Sequence, residues 1–402
     1  MKFHKSIALT LALATITAAC ARKEATETPE NAHEPAYAKI EERADGGYCA
    51  ISISPFDGSR DTLIVSKPLE RLIVMSTSHV GFLNAIKADS AIVGVSGGEY
   101  VCEPEVMKKI ADGAITDIGY DANPDYEKIL DLKPDLVLTY TVSPAKPQFI
   151  AKLESLGIKT FTINEHLETH PLARAAYIRL FGALTGKMEI ADSVLKTVSG
   201  NYMSLRDSIQ IKQRAAGKGH HNADRNQEQK EDNPQHGRRK ILVNIPYKDQ
   251  WFIPGQLNYL TNLFCDAGGE ILGTVPGSSV SGQITVEAAY SLSKQADLWM
   301  NVGWCQTLDQ LLSVNPLFED FLMNIQKNSA AAGYSPERVV WNNNRRLNSK
   351  GGNDFWESGV VRPDLILRDL IGIFSDDTGH TPVYYKEISG MASPLSAGRT
   401  TE

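Results

Sequence analysis

Asn123-Pro124-Asp125-Tyr126-Glu127-Lys128-Ile129-Leu130-Asp131-Leu132-Lys133-Pro134-Asp135-Leu136-Val137-Leu138 decides the fold, because its pattern returns about 160 residues later. The second copy is Ile284-Thr285-Val286-Glu287-Ala288-Ala289-Tyr290-Ser291-Leu292-Ser293-Lys294-Gln295-Ala296-Asp297-Leu298-Trp299-Met300. In each, a Glu lies in the first turn of a short helix, a Leu follows on the next turns, and an Asp opens an apolar strand. The repeat predicts two similar α/β lobes with a cleft between them.

Around each copy, apolar strands alternate with helices. In the first half the strands are Leu72-Ile73-Val74-Met75, Ala91 to Val95, Leu136 to Tyr140 and Lys159 to Ile163. Ser76-Thr77-Ser78 caps a helix beginning near His79, and a helix over 145–156 stops at Gly157. This alternation predicts parallel sheets with helical crossovers. Before it, Tyr48 to Ser54 and Thr62 to Val65 flank Asp57-Gly58 as a hairpin. Residues 168–209 read as helix, with pauses at Gly186 and Gly200, long enough to bridge two lobes. In the second half Ile241 to Ile245 and residues 297–302 read as strands. Helices are expected over 259–267, 307–314 and 363–374, the last with Pro363 at its first position. Residues 211–239 are nearly free of apolar side chains and read as a polar surface insertion. Its His220, His221 and His236 lack an ordered scaffold for a metal, so a solvated loop is the expectation.

The first 19 residues have the layout of a secretion signal: Lys2 and Lys5, an apolar stretch Ile7 to Ile16, then Thr17-Ala18-Ala19 before Cys20. This resembles a bacterial lipobox, with Thr17 where Leu is usual, and implies lipidation at Cys20. Residues 20–66 then comprise a tether and short strands. Net charge of -7 gives no reason to expect nucleic acid as a partner. No phosphate loop, nucleophile elbow or His-Glu-x-x-His occurs. Binding is better supported than catalysis. All five Trp follow residue 250, and Trp251, Trp304, Trp341 and Trp356 fall at strand ends or in loops, where open α/β sheets bind ligands. Tyr100, Tyr120 and Tyr140 occupy comparable positions in the first half. The stretch Trp341 to Glu357 adds Asn342, Asn343, Asn344, Arg345 and Arg346, which suit polar ligand edges.

Arg71-Leu72-Ile73-Val74, Val93-Gly94-Val95-Ser96, Gly119-Tyr120 with Asn123 to Glu127, and Leu132 to Val137 resemble the first lobe of class III substrate-binding proteins. These serve ABC importers for ferric siderophores, haem and cobalamin. Leu263 to Gly269, Val286-Glu287 and Arg362-Pro363-Asp364-Leu365 resemble the second lobe. The resemblance implies two Rossmann-like lobes, 67–167 and 187–375, joined by one long helix at 168–186, and a tail from 376 to 402. It implies a periplasmic, lipid-anchored, non-enzymatic protein with no resident cofactor, whose cargo is a metal chelate. Partners would be a permease and its ATPase. A ferric siderophore or haem is the expected cargo, and cobalamin the alternative. By position, Tyr100, Tyr120, Tyr247, Trp251, Arg345, Phe355 and Trp356 are the expected ligand contacts. Glu127 and Glu287 would meet Arg residues of the permease. The contrasting class is a chelatase-like two-lobed enzyme using His79, His166 and His170.

Overall fold

The computed structural model describes residues 34–218, 237–248 and 250–389. Cys20 and the signal segment, residues 219–236 with their three His, and the last residues of the tail lie outside them.

The chain begins with a three-stranded antiparallel meander, β1 (Ala38–Glu42), β2 (Tyr48–Ile53) and β3 (Arg60–Val65). Glu168 moors its entrance: the carboxylate accepts the Ala36 and Tyr37 N–H groups and the Tyr177 hydroxyl.

The first lobe runs β4 (Leu72–Val74), α1 (Thr77–Ala85), β5 (Ile92–Val95), α2 (Pro104–Ala111), β6 (Thr116–Asp117), α3 (Tyr126–Leu132), β7 (Leu136–Thr139), α4 (Gln148–Ser155) and β8 (Thr160–Thr162). Its sheet is parallel throughout, in the order β6-β5-β4-β7-β8. Three connecting helices follow: α5 (Pro171–Ala175), α6 (Ile178–Thr185) and α7 (Met188–Lys218).

The second lobe runs β9 (Arg239–Val243), β10 (Trp251–Ile253), α8 (Tyr259–Asp266), β11 (Gly269–Ile271), β12 (Gly282–Ile284), α9 (Val286–Ser293), β13 (Leu298–Met300), α10 (Leu308–Val314), α11 (Phe318–Ala331), β14 (Val340–Asn342), α12 (Pro363–Phe374) and β15 (Lys386–Glu387). Strand order is β11-β9-β13-β14-β15, parallel except for β15. β10 and β12 form a separate antiparallel ribbon.

The sequence repeat has a physical basis in this architecture. α3 precedes β7 and α9 precedes β13, and each of these strands lies beside the first strand of its lobe. The repeated Asp staples the pair together. Asp135 accepts the Glu70 and Arg71 N–H groups ahead of β4. Asp297 accepts the Lys240 N–H of β9. Each helix start is capped by a short polar side chain, Asp125 to the Lys128 N–H and Thr285 to the Ala288 N–H.

The bridge between lobes lies later than expected. Residues 168–186 do not form one helix. They contain α5, whose Leu172 joins the second lobe's core, and α6, which is buried in the first. Gly186 ends α6 in the left-handed region, at φ 69°, a conformation that favours Gly. The spanning element is α7. Its Ala191 packs in the first lobe's core, and Val198 and Tyr202 pack in the second. Gly200 does not interrupt it, because packing of Val198 and Tyr202 outweighs the roughly 1 kcal/mol that Gly costs in a helix. α7 also extends to Lys218, so the first residues of the expected polar insertion are helical.

The lobe boundary at 375 also moves. Tyr384, Tyr385 and Ile388 are buried in the second lobe, and Asp369 accepts the Val383 and Tyr384 N–H groups. Lys386–Glu387, within the stretch assigned to a tail, therefore form the closing edge of the sheet. Among the described residues no helix is long and apolar enough to cross a membrane.

Candidate ligand cleft

Parallel strands all end on one side of a sheet, and the loops leaving that side meet at a crevice. In the first lobe β4 leads to Ser76, Thr77 and Ser78, β5 to the Tyr100 loop, β7 to Tyr140 and Val142, and β8 to Glu165 and His166. All of these but the Tyr100 loop, with His79, Arg174 and Trp356, line a recess of about 260 Å³. Trp356 is brought there by the segment between β14 and α12, which leaves the second lobe and packs on the first. Val360 and Val361 join the first lobe's core, and a Cβ on Gly81 of α1 would sit 2.2 Å from the Glu357 carbonyl oxygen.

A larger groove, about 890 Å³, lies on the outer flank between β3 and β8. Position rather than size identifies the cleft, since the smaller recess lies where both lobes contribute.

The floor of the recess is a buried polar cluster. The Arg174 guanidinium lies 3.5 Å from Glu165 and over the Tyr259 ring at 4.7 Å. His166 Nδ1 lies 3.3 Å from the Glu165 carboxylate, and its Nε2 faces the Thr141 carbonyl at 2.9 Å. Burial pushes the Glu165 carboxyl up, but Arg174, His166 and Ser78 outweigh it and hold it well below the usual carboxylate range. Burial lowers the His79 imidazole to about 4, so it is neutral at physiological pH. His79 Nδ1 and Arg174 Nε are buried without a hydrogen bond. Such orphaned groups are costly in a core and fit a site that receives a polar partner.

Outside the recess lining, the loops of the first lobe carry an exposed aromatic pair. Tyr100 and Tyr120 are both exposed, with ring centroids 6.2 Å apart. Gly97 makes room for the pair: it has φ 61°, and a Cβ there would touch both rings at 3.4–3.5 Å. Tyr120 donates its hydroxyl to Glu99, and Tyr140 donates to Asp121 at 2.5 Å. Trp356, 41% exposed, is the aromatic that the second lobe's chain brings to the recess itself.

Several expected contacts lie elsewhere. Trp251 is 0% exposed. Its indole N–H donates to the Val243 carbonyl, and its ring stacks on Trp299 and Phe321. It belongs to the core because β10 turns that face inward. Phe355 is also core, 3% exposed and set edge-on against Tyr384 and Tyr385. Trp341 is buried within β14. Asn342 and Asn344 are spent on the Gly303 and Cys305 carbonyls, so they hold a loop rather than a ligand. Tyr247 and Arg345 are exposed at the ends of β9 and β14 but do not line the recess. His170 caps α5 by accepting the Leu172 N–H. Among the described residues no group of three or more His, Cys, Asp or Glu is arranged to hold a metal ion.

Glu127 and Glu287 are exposed, each in the first turn of its helix. Glu287 borders a crevice of about 690 Å³ with Lys248 and Gln250.

Residues 72–324 match the family described as Periplasmic binding protein. The chain belongs to that family. An uncharacterized lipoprotein of Methanocaldococcus jannaschii is 24% identical over 352 residues, covering 83% of this chain and 73% of its own. An uncharacterized ABC transporter substrate-binding lipoprotein of Bacillus subtilis is 24% identical over 152 residues, 38% of this chain and 45% of its own. Among solved structures, a periplasmic haem-binding protein of Pseudomonas aeruginosa shares the fold at TM-score 0.51 and 14% identity, covering 81% of this chain and 99% of that one. A periplasmic vitamin B12-binding protein of Vibrio cholerae does so at TM-score 0.51 and 14% identity, covering 77% and 98%. The fold shared is that of the class III binding proteins, and the family is one of binding proteins rather than chelatase-like enzymes. The protein's place is periplasmic or membrane-anchored.

Proposed function

We propose that this periplasmic binding protein captures an iron complex, a ferric siderophore or haem, between its lobes and delivers it to an inner-membrane permease. The observation that carries the proposal is a recess at the strand ends in which Tyr140 and the exposed Trp356 stand with the buried polar cluster of Glu165, Arg174 and His79. Flat chelates present faces to aromatic rings and polar edges to hydrogen-bonding groups. The site needs no resident cofactor; the metal arrives as cargo, and capture involves no covalent step. Cobalamin is the second reading, supported by the shared fold with the vitamin B12-binding protein as well as with the haem-binding one. Glu127 and Glu287, carried by the repeated helix starts, are the proposed docking points for permease Arg residues. Cys20 is the proposed lipid attachment, in keeping with relatives named as lipoproteins.

The test is a tryptophan-fluorescence titration of the protein lacking residues 1–20 with haem, cobalamin and a panel of ferric siderophores. Trp356 borders the recess and reports occupancy there. Saturable sub-micromolar quenching by an iron complex, lost in Trp356→Ala and in Tyr140→Ala, supports the proposal. Saturation by cobalamin alone selects the second reading, and silence towards the whole set overturns both.

A further inference from the structure

The loop carrying Tyr100 is fastened along its length by the segment between β14 and α12. The Asn348 side-chain amide donates to the Glu99 and Val101 carbonyls, both at 2.8 Å. Gly352 lies so close that a Cβ would fall 2.1 Å from the Tyr100 carbonyl oxygen. Glu357 closes the seam. Its two carboxylate oxygens accept the Cys102 N–H at 2.8 Å and the Glu103 N–H at 2.7 Å, directly ahead of α2.

This carboxyl is 1% exposed. The groups facing it are Asp354 from its own segment and, from the opposing loop, Glu103 and the Cys102 thiol. Asn84 of α1 occupies the Glu103 carboxylate by donating to it at 2.7 Å. The nearby cation, Arg346, is paired with Asp354 at 3.0 Å. Among the described residues Glu357 has no salt bridge. It is a buried acid among acids, held by backbone N–H groups alone.

We propose that Glu357 is a positioning residue for the ligand cleft: its carboxyl latches the Tyr100 loop of the first lobe to the segment that carries Trp356. The proposal rests on the ligand reading given above. It also has a direction with pH. Burial raises the Glu357 carboxyl to about 7, against partial relief from the Cys102 and Glu103 N–H groups and with a further push from Asp354 and Glu103. An unlatched, solvated Glu titrates near 4.3. The latched state therefore holds the proton more tightly, so it is favoured below about pH 4.5 and loses its advantage as pH rises through about 7. Each unit between the two values is a factor of ten, so the latch weakens by about five-hundredfold across that window.

The test is amide hydrogen exchange over residues 99–103 at pH 5.5 and 8.0, corrected for the intrinsic rate, in the full chain lacking residues 1–20. The expected result is that Cys102 and Glu103 are at least tenfold better protected at the lower pH. Glu357→Gln cannot titrate and its amide accepts only one of the two N–H groups, so it should lower protection overall and make it equal at the two pH values. Asn348→Ala should lower protection while keeping the pH dependence, which covers the case in which a Glu357 variant fails to fold. Unchanged pH dependence in Glu357→Gln, or equal protection at both pH values in the parent, overturns the latch. Exchange is read without any ligand. A protein that shows the pH-dependent protection but binds no chelate overturns the cargo reading and leaves the latch standing. In a chelate-binding protein, a flattened pH profile of affinity in Glu357→Gln is the second expected signature.

Discussion

Trp251 separates a core role from a binding role, and Trp251→Ala is the change that tells them apart. The ring is fully buried, stacked on Trp299 at 6.1 Å and Phe321 at 5.7 Å, with Phe318 edge-on at 5.9 Å. Truncation removes the transfer free energy of a large side chain and leaves a cavity, which together cost about 3–5 kcal/mol. It also orphans the Val243 carbonyl at the end of β9, which costs about 1 kcal/mol more. A total of about 4–6 kcal/mol is a large share of what holds a single lobe together. With a urea dependence of about 3 kcal/mol per molar for a lobe of this size, the second-lobe transition should fall by roughly 1.3–2 M. The assay is urea unfolding followed by far-UV circular dichroism, in which the first lobe's transition serves as an internal reference. At low urea the folded variant should keep the parent's ligand affinity. A midpoint within about 0.3 M of the parent, together with a lost ligand, would refute the packing argument.

Two further predictions follow from the site. His79, lowered to about 4 by burial, binds fewer protons folded than unfolded between pH 6.5 and 4. Stability is therefore lost as pH falls through that window, by about 3 kcal/mol at most, and His79→Gln should flatten the acid limb of a pH series of unfolding midpoints. A limb as steep in the variant as in the parent would count against a buried neutral imidazole. Glu127→Ala and Glu287→Ala should leave chelate affinity and unfolding midpoint at parental values, because both side chains are exposed, and should reduce uptake by the reconstituted importer. Loss of affinity in either variant would remove the docking assignment.

Much of the fold was legible because its signals are local. Pro363 marks the start of α12, and the repeated Asp residues mark the strand that pairs with each lobe's first. The spanning helix was misplaced because Gly186 and Gly200 look alike in sequence. Only tertiary packing makes one a terminus and the other an interior residue. Trp251 was misassigned for a related reason: at the start of a three-residue strand, periodicity does not say which face turns inward. The cleft was half legible. Tyr100, Tyr120 and Trp356 stand out as loop aromatics, whereas Arg174 lies in a short helix, and its pairing with Glu165 depends on the turn that returns the chain to the recess. Glu357 carried no local signal at all, since its partners lie more than 250 residues away. The apolar run Val383-Tyr384-Tyr385 was a usable signal for the sheet's closing edge.

The double attachment between the lobes has a consequence for signalling. α7 is about 46 Å of continuous helix rooted in both cores, and the Asn348–Glu357 crossing is a second tie at the far side of the cleft. Two ties at separate points leave little freedom for one half to swing against the other. While the Glu357 latch is shut, the separation between Glu127 and Glu287 should therefore stay nearly the same whether or not cargo is aboard. A transporter that gripped those two points would measure a constant length. It would have to sense cargo through the mouth of the cleft itself, and the force that parts the halves would have to come from the transporter's side of the contact.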